Sequence, residues 1–225
     1  VRQACLPLLV ALSVTALPGL AAGQDFPPPE QAGGLHLAEQ DPGVAMVLAG
    51  GVGYAWPTAL TDGTPDLTKS VAAGRAFHAL GGVKFGTFAI AGIYRVGSPN
   101  AGAGACPAGA TCEASATQKG FLVGFDGDKG IGSNFTLGLG WWTDKTRIEV
   151  KGSRNFTEYQ GWALIQYFAI DGRLGDQTSP VRLGGYLLVA LTSFDKEVTP
   201  AGSRSTPKGA GQPGWFEVGA RVAFF

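Results

Sequence analysis

Residues 214–225 read GWFEVGARVAFF. Phe216, Val218, Ala220, Val222 and Phe224 share one parity, and Glu217, Gly219, Arg221, Ala223 and Phe225 the other. Successive side chains of an extended chain point to opposite faces. One face of this strand is therefore wholly apolar, while the other mixes an acid, a base and small residues. Exposed to water at a sheet edge, such an apolar strand invites aggregation. In a bilayer, turning Arg221 toward lipid would cost about 2–4 kcal/mol near the midplane. The even set is therefore expected to face lipid and the odd set a lumen. Both edges of the strand must then be paired, because hydrocarbon cannot satisfy free backbone groups.

Similar alternation recurs upstream. Residues 44–56 set Met46, Leu48, Val52, Tyr54 and Trp56 against Ala45, Ala49, Gly51, Gly53 and Ala55. Residues 75–86 set Phe77, Val83 and Phe85 against His78 and Lys84, and residues 88–96 set Phe88, Ile90, Tyr94 and Val96 against Ala89, Ala91 and Arg95. Residues 119–126 put Phe121, Val123 and Phe125 on one side; residues 131–142 set Phe135, Leu137, Leu139 and Trp141 against Asn134, Thr136, Gly138 and Gly140. Residues 181–194 set Val181, Leu183, Leu187, Val189 and Leu191 against Arg182, Gly184 and Ala190. The weakest segment is 157–170, where Tyr159, Ala163, Ile165 and Tyr167 face out against Glu158, Gln160 and Gln166 only if Trp162 and Leu164 point in. A short helix is the competing reading there. Bulky apolar residues opposed to glycine, alanine and a few charges suit an outward lipid face and a narrow interior. The expectation is an all-β fold, a closed antiparallel transmembrane barrel of eight strands over 44–225.

Composition agrees. Charged residues are 15% of the chain and glycine contributes 36 positions, so much of the surface need not meet water and close-packed strands are accommodated. The formal net charge of +0 gives no electrostatic case for nucleic acid. Residues 1–23 carry Arg2, an apolar run from Leu6 to Leu20 and the small residues Ala21, Ala22 and Gly23, the layout of an export signal. Pro7 and Pro18 argue against a membrane-anchoring helix. Residues 24–43 read as a periplasmic lead-in. Export places Cys106 and Cys112, close together in a glycine-rich segment, where a disulfide forms.

The connections between strands alternate broadly between long and short, as in outer-membrane barrels with long extracellular loops and short periplasmic turns. An even number of strands leaves both termini periplasmic. Tyr54, Trp56, Phe77, Tyr94, Phe121, Trp141, Tyr159, Phe194 and Trp215 all lie beside the long connections, as an interfacial aromatic girdle would. With these features the chain resembles the small bacterial outer-membrane β-barrels of the OmpA/OmpX type over residues 43–225. Members of that family end in an alternating strand with a terminal Phe that the barrel-assembly machinery recognises. Here Phe224 has the lipid-facing parity and Phe225 lies one beyond. The resemblance implies a monomer in contact with membrane lipid and lipopolysaccharide.

Little in the chain points to chemistry. His36 falls in the lead-in, and His78 is inward on the second strand without a same-strand Ser partner. DGDKG, residues 126–130, lacks the acidic ligands of a calcium loop and reads as a tight turn. The NFT triplets at Asn134 and Asn155 read poorly as glycosylation sites in a chain of bacterial character. No cofactor or metal site is expected. The inward charges Lys84, Arg95, Glu158, Arg182, Glu217 and Arg221 should pair, since an eight-stranded interior is just filled by side chains and unpaired burial is costly. The leading functional expectation is a non-enzymatic barrel with a structural or surface-interaction role carried by its extracellular loops. The alternatives are a narrow pore for small or apolar solutes and a soluble, exported, lipocalin-like binding barrel.

Overall fold

The computed structural model describes residues 43–60, 63, 67–102, 105–128, 133–175, 179–206 and 210–224. The expected export segment, the lead-in up to Pro42, His36 and Phe225 lie outside these residues. The strands are β1 Val44–Ala59, β2 Val71–Phe85, β3 Phe88–Ala101, β4 Cys112–Asp128, β5 Ser133–Val150, β6 Phe156–Arg173, β7 Val181–Thr199, β8 Gly202–Ser205 and β9 Pro213–Phe224. Every neighbouring pair is antiparallel. β1 to β7 follow one another around the sheet, β9 pairs with β7 on one edge and β1 on the other, and the ring is closed. β8 is a four-residue strand that, among the described residues, pairs with the end of β7 alone and stands outside the ring.

The ladder fixes the dimensions. From Leu48 the register passes through Gly81, Gly92, Phe121, Trp141, Leu164, Leu191 and Gly214, and returns to β1 at Thr58, ten positions further along. Eight strands staggered by ten residues, with ordinary strand spacing and rise, give a tilt of about 40° and a backbone radius of about 8 Å. The stagger is even, so each face meets itself after one circuit and the alternation survives closure.

That alternation is inside-out. Leu139 is 60% exposed, and Met46, Phe121, Leu164, Ile170 and Val218 likewise project outward, while Arg95, Asp144, Asp171, Glu217 and Arg221 are buried. Val189 lies outward with Leu187 and Leu191 on β7, opposed to buried Arg182, Tyr186 and Leu188. A soluble ligand-binding barrel would have the reverse sidedness.

Three expectations are corrected. The β6 parity is reversed: Trp162, Leu164, Gln166, Phe168 and Ile170 face out, and Ala163, Ile165, Tyr167 and Ala169 face in. A lipid-facing glutamine and a lumen-facing tyrosine mislead any reading by polarity alone. The girdle loses three members: Trp215 and Phe194 are buried inside, and Tyr159 packs inward against Phe194. Trp215 has the parity of Glu217, not of Phe216, and Phe194 has that of Arg182. A bulge opposite Gln160 and Gly161, where Asp195 has no partner in the ladder, separates Phe194 from the end of β7. Trp162 takes an outward place instead, and Phe216 stands outward as its parity implies, beside Tyr54, Trp56, Phe77, Tyr94, Phe121 and Trp141. Finally, the connections are shorter than the sequence suggested, because the strands run on. β5 and β6 have 18 residues each and are joined by residues 151–155 alone. Crossing hydrocarbon takes about 9–11 residues, so these strands carry the wall well past the aromatic level.

At the opposite end, Gly86 and Thr87 join β2 to β3, and Gly86 has a φ of +60°, the left-handed conformation a two-residue hairpin asks of its first central residue. Cys106 and Cys112 are bonded to each other where the β3–β4 connection enters β4.

Leu139 and Gln166 are direct cross-strand partners on the outer face. Leu139→Arg is expected to lower unfolding stability in vesicles by about 2–4 kcal/mol. Gln166→Leu is expected to raise it. Urea titration of the refolded barrel measures both, and a destabilising Gln166→Leu would return that side chain to the lumen.

Candidate functional site

The inward face of β1 carries mostly small residues and is bare at Gly51 and Gly53, and this makes room for the lumen. A Cβ on Gly51 would overlap the His78 ring, and one on Gly53 would overlap the Tyr186 hydroxyl. Three rings fill the space so left. Tyr186 meets His78 edge-on at 4.4 Å between centroids, Tyr167 meets His78 edge-on at 5.5 Å, and the two tyrosines stack at 5.8 Å.

At the centre stands Glu217 of β9, fully buried. Its Oε2 accepts from Arg95 Nε at 2.6 Å, and its Oε1 accepts from the Tyr186 hydroxyl at 2.5 Å. His78 Nδ1 lies 3.8 Å from the same carboxylate, and His78 Nε2 is 3.2 Å from the Tyr167 hydroxyl. Arg95 also donates to Gln118 Oε1 at 2.8 Å. The indoles of Trp142 and Trp215 flank its guanidinium at 5.9 and 5.7 Å. Asp144 is buried close by, within the field of Arg95. Toward the termini lies a second layer. Lys84 donates to Asp126 at 3.0 Å, Thr136 donates to Asp126 at 3.3 Å, and Arg221 donates to Thr136 at 3.1 Å and pairs with Asp171 at 3.3 Å. Arg182 is buried at that end. A void of about 40 Å³ between Leu80, Leu122, Asp126, Tyr167 and Arg221 has room for a few waters.

Of the charges the sequence singled out, Arg95 and Glu217 come together directly, and Lys84, Arg182 and Arg221 also point inward. Glu158 does not. It pairs across the sheet with Arg147 on the outer wall, and its carboxylate accepts from Gln160 at 2.5 Å. The acids that balance the lumen, Asp126, Asp144 and Asp171, were absent from the sequence-based set because they fall in segments that read as turns or loops. Asp126 already closes the segment 119–126 on the parity of Leu122 and Gly124, and parity carried two residues past Trp142 would have found Asp144.

A closed ring of eight strands, apolar outside and ionic inside, is a transmembrane β-barrel. The chain has the fold of the small outer-membrane barrels. Neisserial surface protein A superposes with a TM-score of 0.56 at 12% identity, covering 81% of this chain and 98% of that one. A major outer membrane protein from Thermus thermophilus superposes at 0.50 with 11% identity, covering 79% and 99%. No family model and no curated protein sequence matches the chain.

A buried ion pair adds little net stability over an apolar substitute, but deleting one partner strands the other. Glu217→Ala is expected to cost the barrel about 3–5 kcal/mol. Adding Arg95→Met should recover most of that loss. A double-mutant cycle in urea reads the coupling, and simple additivity would show that the two side chains do not depend on each other.

Proposed function

We propose that this protein is a monomeric, non-enzymatic barrel of the bacterial outer membrane. In this reading its lumen is shut to solutes, both termini are periplasmic, and its role is structural or interactive at the cell surface. The observation that carries the reading is the filled cross-section at Arg95. There one guanidinium is held by Glu217 and Gln118 between the indoles of Trp142 and Trp215, with Tyr186 and His78 completing the layer. A solute would have to break several buried polar contacts at once, and each leaves an uncompensated group in a dry interior. The pore alternative needs such a rupture, and no opening of that kind is present among the described residues. The surface role is supported by the extension of β4, β5 and β6 beyond the aromatic level, and by the name of a structural neighbour, a surface protein. The extended wall, rather than long loops, is the feature offered for contact. Membrane lipid and lipopolysaccharide are its immediate surroundings in this reading, with delivery through an export signal and the barrel-assembly machinery.

Purified protein in planar bilayers is expected to show no unitary conductance steps, while the same sample shows a heat-modifiable band on unheated and boiled gels. Discrete steps from wild-type protein would favour the pore instead. Absence of the heat shift would remove the barrel reading.

A further inference from the structure

The outward face of β4 and β5 changes character abruptly at one level. Up to Phe121 and Trp141 it is apolar, and those two rings lie 6.4 Å apart. The next outward pair is Lys119 with Thr143, then Thr117 with Lys145, then Ser115 with Arg147. Cations and hydroxyls thus alternate across two adjacent strands and line an open recess of about 440 Å³. Outward rows are about 6.6 Å apart along a strand, so the lowest cation lies one row above the aromatic rings.

Charge is not balanced evenly over this surface. Arg147, the highest of the three, is paired with Glu149 at 3.3 Å and stacks on Phe156. Glu158 lines the same recess in the row of Arg147, two rows above Lys119, and its carboxylate is engaged by Gln160. The two lysines nearest the apolar band have no ion-pair partner among the described residues; the Lys119 ammonium sits 5.7 Å from the Tyr94 ring centre. Along β4 and β5, among the described residues, unpaired positive charge is therefore concentrated immediately above the aromatic level, and the cation above it, Arg147, is paired.

We infer that this recess binds the phosphate-bearing headgroup of a lipid in the leaflet around the barrel. The phosphate would lie on Lys119 and Lys145, and the acyl chains against Phe121, Trp141 and Leu139. The inference rests on the outer-membrane reading above. Continuity with the apolar band favours a lipid over a soluble polyanion. A soluble ligand would gain nothing from the exposed rings below, whereas an amphiphile uses both surfaces at once. Aromatic side chains prefer the headgroup level, and a lysine close to an anionic membrane surface contributes about 1 kcal/mol.

The test uses the refolded full chain in detergent, titrated by native mass spectrometry with bis-phosphorylated lipid A and with the same lipid stripped of both phosphates. Wild type should prefer the phosphorylated form. Lys119→Gln/Lys145→Gln should weaken its retention about 30-fold. Lys151→Gln/Arg154→Gln, which removes as many cations from the β5–β6 connection, should leave it unchanged. Equal retention by wild type and the lysine variant, or no preference for phosphate, overturns the inference. So does binding of dextran sulfate in place of the lipid. An unheated-versus-boiled gel of each sample separates the two levels: a heat-modifiable barrel without phosphate preference defeats this inference alone. A chain with no heat shift defeats the outer-membrane reading beneath it.

Discussion

Closure of the backbone ladder between β1 and β9 is the constraint from which the other features follow. An open sheet in hydrocarbon would leave two rows of unsatisfied amides and carbonyls, each costing several kcal/mol. Val52 opposite Ala220 and Tyr54 opposite Val218 are therefore not merely a pairing of first and last strands. They remove the edges that would make any single strand of this chain insoluble in lipid. Closing eight strands with a stagger of ten residues also sets the width of the tube. Whatever the inward side chains are, they must fill a cylinder of about 8 Å backbone radius.

The filling is achieved by contrast between neighbouring strands. β1 contributes Gly51 and Gly53 where β2 and β7 contribute His78 and Tyr186. Large residues on one side of the lumen thus occupy the space that glycines vacate on the other. The same glycines make the wall sensitive, because any side chain there would collide with a ring already engaged with Glu217. The ionic groups are organised in two layers, Arg95 with Glu217 and, nearer the termini, Lys84 and Arg221 with Asp126 and Asp171. Placing opposite charges within each layer keeps the interior close to neutral along its length, which a low-dielectric tube requires.

Sidedness, closure and most of the lumen were legible from the chain because they depend on period-two alternation, which is local. β9, β1, β3 and β7 read correctly for that reason. β6 failed because its two polarity cues are both inverted: Gln166 faces lipid, and Tyr167 faces His78. Only the neighbours reveal the true parity, since Gln166 lies between Leu139 and Val189 on the outer face. The ends of strands failed for a different reason. Asp126 and Asp171 sit beside glycines in stretches that resemble turns, and Asp144 sits in the charged stretch TDKTR, yet cross-strand pairing keeps all three extended. Trp215 was misplaced by a general preference of tryptophan for interfaces, which the cation–π contact with Arg95 overrides.

Lumen and outer wall are not independent. Gln118 and Lys119 are consecutive residues on opposite faces of β4, and so are Asp144 and Lys145 on β5. A one-residue slip of either strand would exchange each pair, moving the lysines into the lumen beside Arg95 and turning Gln118 or Asp144 out. Two like charges in that dry layer would be far more costly than any outward contact could offset. The buried cluster around Arg95 therefore does more than close the tube. By forbidding the slipped register, it holds Lys119 and Lys145 on the outside, at one level above the Phe121 and Trp141 rings. Stability of the interior and the chemistry of the exposed wall are consequences of a single choice of register.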